Sequence, residues 1–398
     1  MAKGRDEKKN NKEVEMKKLF IVVNHDWFFL SHRQAIGVAA KEAGWDVTIV
    51  TCDTGKSEDI RALGLKTINL PINATGMNPV EEMKTFWFLF ELYTREKPDV
   101  VHHVGLKTIL WGGLAAKLTG IKGVVNAVSG LGVMFSGEKQ SLVAKGILAV
   151  LRFSHSRKGV RVIFQNHEDE DLFLKNHITQ QEDSVFIKGS GVDLNEFTYA
   201  PDPDTTPLRV MFTARMVREK GVVVLTEAAE MLRKEYEGKV VFLLCGKLSD
   251  NPKAMQKEEL EALCDGKYIQ WLGHRTDVKD LLRQCHIVAF PSYYREGVPK
   301  SLIEACATGR PIITTNSIGC KDTVEDGVNG YLIPIKDSQS LAEKLKVLIN
   351  DKVLREKMGR ASRVKAEKEF SLNEVVKKHL ECYAELDSEK DLFQQSSK

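Results

Sequence analysis

Along the chain, short unbroken apolar runs alternate with longer stretches whose apolar residues recur at helical spacing. Residues 19–23 (LFIVV) form the first run, residues 35–43 follow with a helical pattern, Gly44 interrupts it, and residues 47–50 form a second run. A strand, a helix and a strand are expected there, with a polar-aromatic loop after the first strand. The succession repeats as strand 66–70, amphipathic helix 80–94, the break Pro98-Asp99, strand 100–103, helix 109–118, and strands 123–126 and 160–164. Strands without a polar face belong in a parallel sheet covered by helices on both sides.

Three prolines in residues 198–207 (TYAPDPDTTP) break both periodicities and predict a linker over 199–207. A second series follows: strand 208–214, helix 222–233, strand 240–245, a helical stretch over 254–264, strand 287–291, helix 300–308, strands 311–315 and 330–333, and helix 340–349. The expected fold class is α/β, with two Rossmann-like doubly wound domains, 19–198 and 208–370, facing across a cleft. Residues 1–18 mix both charge signs and lack the apolar core of a signal peptide, so they read as a solvated tail, as do residues 387–398.

Composition narrows the class. At 42% hydrophobic and 28% charged residues the chain is a soluble globular type, and no run approaches the roughly 18–20 apolar residues that cross a membrane. Fifty-eight Lys and Arg against 55 Asp and Glu leave +3, which gives no bulk argument for nucleic acid. Seven cysteines, an odd set without C-x-x-C spacing, indicate neither a disulfide framework nor a zinc site and fit a reducing cytosol.

The chemistry concentrates where strands of the second series run into helices. After strand 287–291, residues 292–306 contain Glu296, Gly297, Val298, Pro299, Lys300, Ser301 and Glu304. Pro299 near the first helical position leaves free backbone donors at a helix N-terminus, which suit an anion such as a diphosphate, while Glu296 and Glu304 can accept from hydroxyls. The bland reading makes Glu296 a cap and Glu304 a solvated face residue. After strand 208–214, Arg215 and Lys220 are placed to converge on phosphate oxygens. A sugar nucleotide fits both segments, with no metal required.

Arg215, Lys220, Glu296 and Glu304, together with Gly189-Ser190-Gly191-Val192-Asp193, Gly246, Leu272-Gly273 before Asp277, and residues 319–330, resemble the retaining GT4 glycosyltransferases of the GT-B fold. The resemblance spans residues 19–385. It implies that Arg215 and Lys220 hold the nucleotide diphosphate, Glu304 the ribose and Glu296 the donor-sugar hydroxyls, with Gly273, His274, Arg275 and Thr276 lining the base pocket. It also implies that a last helix over 371–386 crosses back to the first domain. The loop with Phe28, Phe29, His32 and Arg33 departs from the family's glycine-rich turn. With His102, His103, Lys107, Ser129 and Gly130 it resembles the subgroup that extends undecaprenyl-diphosphate-linked sugars, of the bacillosaminyl-lipid N-acetylgalactosaminyltransferase type. His32, Arg33, His103, Lys107, Ser129 and Gly130 are the acceptor-side candidates, with His32 and Arg33 at a helix start for the lipid diphosphate.

Residues 139–161 carry six basic side chains and no acidic one, among them Lys139, Lys145, Arg152 and Lys158, interleaved with apolar residues. Such a stretch can lie on an anionic leaflet or can be a core helix with solvated lysines. Asp169-Glu170-Asp171 contains a D-x-D, but residues two apart on a helix do not share a face, so metal binding is not expected there. His102 and His103 point to opposite faces of a strand, so at most one reaches the cleft. The resulting expectation is a metal-independent transferase, without a cofactor, using a UDP-sugar and a lipid-diphosphate-linked sugar at the cytoplasmic face of a bacterial membrane. A UDP-sugar 2-epimerase and a non-catalytic sugar-nucleotide-binding subunit remain open on the same fold.

Overall fold

The computed structural model describes residues 16–73, 78–131, 142–248 and 254–395, with side chains to residue 388. Its first sheet contains β1 (Lys18–His25), β2 (Asp46–Cys52), β3 (Lys66–Asn69), β4 (Val100–Val104), β5 (Gly123–Val128), β6 (Val160–Phe164) and β7 (Ser184–Phe186), in the order β3-β2-β1-β4-β5-β6-β7. The second contains β8 (Leu208–Thr213), β9 (Val240–Cys245), β10 (Ile269–Trp271), β11 (Ile287–Phe290), β12 (Ile312–Thr315) and β13 (Gly330–Ile333), in the order β10-β9-β8-β11-β12-β13. Every pairing within these two sheets is parallel. Both sheets reverse strand order at one point, between β1 and β4 and between β8 and β11. The crevice at that switch point is where doubly wound folds bind ligands.

The buried strands β4, β5, β9 and β11 have no exposed face, which is why their sequences read as continuous apolar runs. β7 and β10, three residues each and half-polar, lie below what such a pattern detects. The loop expected after β1 is instead the helix Asp26–His32. No Gly or Pro interrupts it, Phe28 and His32 stack one turn apart at 4.4 Å, and buried Asp26 accepts from the backbone of Thr54 and Lys56 at 2.7 and 2.9 Å.

The segment 199–207 is tied down rather than free. Ala200 pairs with Thr308 across the backbone, Arg310 donates to the carbonyls of Ala200 and Pro201, and Asp202 pairs with Arg355 at 2.9 Å. Its prolines signal irregular backbone, and the crossing between domains occurs earlier. Val192 there forms a bridge with Ser371, with Val192 N donating to Phe370 O at 2.9 Å and Leu372 N to Val192 O at 3.0 Å. The outgoing and returning strands of chain thus run side by side.

The returning chain forms the helix Leu372–Gln395, which remains helical past residue 386, where a tail was expected. Its Val375, Cys382, Tyr383 and Leu386 are buried against Leu19, Ile21, Ile36 and Ala40 of the first domain. Residues 1–15 lie outside the described part.

Candidate active site

The second domain builds its site at the β8/β11 switch point. β8 runs into a single turn, Arg218–Lys220, and then the helix Val222–Tyr236. Gly221 joins turn and helix at φ +91°, and a Cβ there would stand 2.2 Å from the carbonyl oxygen of Pro291. Only glycine lets the turn come this close to the end of β11. Tyr293 N donates to Glu219 O at 2.9 Å across the same seam.

The result is an ion pair between Lys220 and Glu296, both side chains about one-eighth exposed. Ser292 Oγ, fully buried, donates to the other carboxylate oxygen at 2.8 Å. The Lys220 ammonium also lies 5.7 Å from the ring centres of Phe290 and Tyr294. Arg215 is exposed and its side chain has no hydrogen bond or ion pair among the described residues, so its fork is available to a ligand.

Glu296-Gly297 leads through Val298 to the helix Lys300–Thr308, whose N-cap is Pro299 and which has no side-chain cap. The first amides of that helix therefore present donors and a positive dipole end beside Lys220. Ser301 is partly exposed on this first turn. Val298 is a correction: its side chain is 6% exposed in the core, and its N–H is engaged by Gln165 Oε1 at 3.2 Å, so it contributes packing. Glu304 sits one turn on, with Lys300 Nζ at 3.9 Å. Burial, only partly opposed by Lys300, pushes its carboxyl up to about 7.

Gly273, His274, Arg275 and Thr276 follow the edge strand β10, two strands away from β8. Arg275 is held by Asp277 through two bonds of 2.8 and 2.6 Å.

On the first domain the acceptor candidates separate. Ser129 and Gly130 leave β5 directly against the donor loop, a Cβ on Gly130 falling 2.9 Å from Gly297 N. His32 faces the same cleft, where Lys300 Nζ donates to Ser31 O at 2.6 Å. Burial first, then the charges of Lys300, Arg33 and Lys220, lower the His32 imidazole to about 3, so it is neutral and offers hydrogen bonding without charge. Lys107 lies on the same sheet edge, donates to Asn73 O at 2.6 Å and pairs with Glu82.

Arg33 and His103 are corrections. Arg33 is 2% exposed, donates to His32 O at 3.1 Å and is turned toward Tyr383 and His379 of the last helix. His103 is fully buried under the helix Leu106–Leu118, and so is His102 on the opposite face. His103 sits in a closed chain: Tyr93 Oη at 2.9 Å on Nε2, Asn126 Oδ1 at 2.8 Å on Nδ1, then Asn126 Nδ2 to His155 Nε2 at 2.9 Å and His155 Nδ1 to Leu151 O at 2.7 Å. Each partner's role is fixed if both imidazoles are neutral, and burial lowers both to about 4.

The described part of the basic stretch is an amphipathic helix. Residues 142–155 form a helix whose Ala144, Leu148, Leu151 and Ser154 are buried, while Leu142, Val143, Lys145, Arg152 and Phe153 are exposed on its other side. Lys158 is exposed just beyond it, and Lys139 lies outside the described residues. Among the described residues no group of His, Cys, Asp or Glu is arranged to hold a metal. Asp171 is exposed, 3.8 Å from Lys175, and Asp169 is buried against Arg295.

Residues 197–365 match the family described as glycosyl transferases group 1, and residues 18–166 match glycosyl transferase 4-like. The chain belongs to the GT4 glycosyltransferases. Among GT4-type relatives, the N,N'-diacetylbacillosaminyl-diphospho-undecaprenol alpha-1,3-N-acetylgalactosaminyltransferase of Campylobacter jejuni is 28% identical over 89% of this chain and 97% of its own length. The UDP-Gal:alpha-D-GlcNAc-diphosphoundecaprenol alpha-1,3-galactosyltransferase of Escherichia coli is 26% identical over 78% of this chain and 81% of its own. The glycosyltransferase of Rickettsia africae (TM-score 0.74, 20% identity, 94% of this chain, 99% of that one) shares the GT-B fold. So does HepE of Anabaena, solved with UDP (TM-score 0.75, 19% identity, 93% and 100%).

Sequence reasoning on this GT4 chain missed Ser292, Gln165, Asp169 and Arg295 as site-shaping residues. Arg295 adjoins Glu296, which was a signal, but its partner 126 positions earlier was not legible.

Proposed function

We propose that the chain is a retaining hexosyltransferase that moves a sugar from a UDP-sugar to a sugar carried on a polyprenyl diphosphate, without a metal, at the cytoplasmic face of a bacterial membrane. The observation that carries this reading is the Lys220–Glu296 pair at the switch point, beside an uncapped helix N-terminus. An entering diphosphate competes with Glu296 for Lys220, and the released carboxylate can accept from donor-sugar hydroxyls. As the glycosidic bond breaks, Lys220, Arg215 and the first amides of the helix Lys300–Thr308 stabilise the charge growing on UDP. The acceptor hydroxyl then attacks from the face that UDP leaves, its proton passing to the oxygen of the departing diphosphate. The names of the Campylobacter and Escherichia relatives support a lipid-diphosphate-linked acceptor.

A panel of UDP-sugars, with and without polyprenyl-diphosphate sugars, tests this. UDP release should require the acceptor and persist in excess EDTA. Epimerised donor without UDP release would favour the epimerase, and inhibition by EDTA that Mn²⁺ reverses would overturn metal independence.

The buried Glu304 gives the reaction a pH dependence. Its value in the folded chain, about 7, lies above the ordinary 4.5, so the folded state holds the proton more tightly than the unfolded one. That contribution to stability is present below pH 4.5 and is lost as pH rises through 7. Ribose hydroxyls donate best to the ionised form. UDP affinity measured by calorimetry should therefore rise several-fold between pH 6 and 8, and Glu304→Gln should flatten that rise.

Membrane attachment is supported by the layer containing the helices Pro79–Glu96, Leu106–Leu118 and Leu142–His155. Each follows a strand of the parallel sheet, so all three start at the edge facing the cleft. At those starts Val80 and Leu142 are 62% and 86% exposed, and Trp87, about two turns along the first helix, is 53% exposed. An apolar rim at the cleft mouth, with Lys145, Arg152 and Lys158 on the same layer, suits an anionic bilayer. Flotation with anionic vesicles should be strong at low salt. Lys145→Glu with Arg152→Glu should weaken it by at least about thirtyfold, since each basic residue near the surface contributes about 1 kcal/mol. Binding indifferent to salt and lipid charge would reject the electrostatic part.

A further inference from the structure

β6 ends at Phe164, and the residues that follow turn toward the second domain. Gln165 is 6% exposed, and Asn166 and Asp169 are fully buried. Asn166 caps the helix His167–Lys175, its Oδ1 accepting from Asp169 N at 2.8 Å, while its Nδ2 donates to Asp169 Oδ2 at 3.1 Å. This anchors one carboxylate oxygen within the first domain. The other, Oδ1, accepts from Arg295 of the second domain, from Nη2 at 2.6 Å and Nε at 3.2 Å. Four residues earlier, Gln165 Oε1 accepts from Val298 N at 3.2 Å.

Arg295 and Val298 bracket Glu296-Gly297. The first domain therefore grips the donor loop on both sides of its carboxylate. A Cβ at Gly297 would lie 2.0 Å from Gln165 Oε1 and 3.2 Å from Ser129 O, so the fit is close. A second ion pair, Glu168 with Lys321, lies on the same seam. The contacts to the Glu296 carboxylate itself, from Lys220 and Ser292, are within the second domain.

We propose that Asp169 and Gln165 are positioning residues for transfer, setting the Glu296 backbone so that the donor site is complete only when the two domains are together. A buried carboxylate whose cation belongs to the other domain loses that cation when the domains part. Nucleotide binding uses groups of the second domain alone and is independent of the grip. The proposal rests on the reading of Glu296 as a donor-sugar contact.

The full chain tests it through Asp169→Asn, Arg295→Gln and the double variant, with Gln165→Leu as a second probe of the grip. Each single variant should lose about tenfold or more in kcat while the Kd for UDP stays within about threefold, and the double should be no worse than the poorer single. Asp169→Asn turning over like the wild type would overturn the proposal. So would UDP affinity falling in step with kcat, or single effects that multiply in the double variant. If the wild type transfers no sugar from any UDP-sugar, the functional reading fails separately. Small-angle scattering with UDP then decides the grip: a larger radius of gyration in Asp169→Asn supports it, and an unchanged one overturns it.

Discussion

Replacing Lys220 by alanine should lower kcat/KM for transfer by about 10- to 150-fold, equivalent to roughly 1.5–3 kcal/mol of transition-state stabilisation. The ammonium lies in a half-enclosed place against Phe290, Tyr294 and Glu296, where a charge-assisted bond is worth more than on an open surface. Its loss also leaves the Glu296 carboxylate held by Ser292 Oγ, with a negative charge facing the incoming diphosphate. Removing Arg215 as well should bring the loss to at least about 100-fold. A double variant with near-normal turnover would end the donor-site assignment. Glu296→Gln separates the roles further, because activity should fall more than UDP affinity does.

Gly319→Ala should be nearly as damaging although residue 319 carries no chemistry. Gly319 has φ +82°, and a Cβ there would stand 2.0 Å from the carbonyl oxygen of Gly297 and 2.7 Å from that of Glu296. These are backbone atoms, so relief requires the donor loop itself to shift. A displacement near 1 Å at a reacting centre can cost about 100-fold in rate. The left-handed conformation adds roughly 1–2 kcal/mol of strain for alanine. Thermal unfolding alongside kcat measures both, and a variant with normal kcat would show that the loop does not need this fit.

The alternation of apolar runs and helical periodicity made the two doubly wound sheets legible, because strands buried on both faces leave an unmistakable pattern. That Lys220 and Glu296 come together was legible for a related reason: each follows a strong strand signal, and strand ends of parallel sheets gather at one edge. What could not be read was side-chain direction beyond that edge. Arg33 and His32 are neighbours, yet one turns to the last helix and the other to the cleft. His103 looked like a cleft residue because strand alternation gives one residue per face, whereas here helices cover both faces. Asp169 was weighed only as part of a D-x-D and set aside, since its partner Arg295 lies on the other domain.

The last helix has a consequence for how the molecule is made. Cys382, Tyr383 and Leu386 complete the packing over Leu19, Ile21 and Ile36, so part of one side of the first sheet stays bare while the rest of the chain is synthesised. β7 ends at Phe186, and the covering residues emerge about two hundred positions later, after roughly 10–40 s of translation. During that interval the nascent first domain carries an uncovered apolar surface and depends on whatever shields it in the cell. A stop codon just before residue 382 would thus injure the half of the protein that was made first.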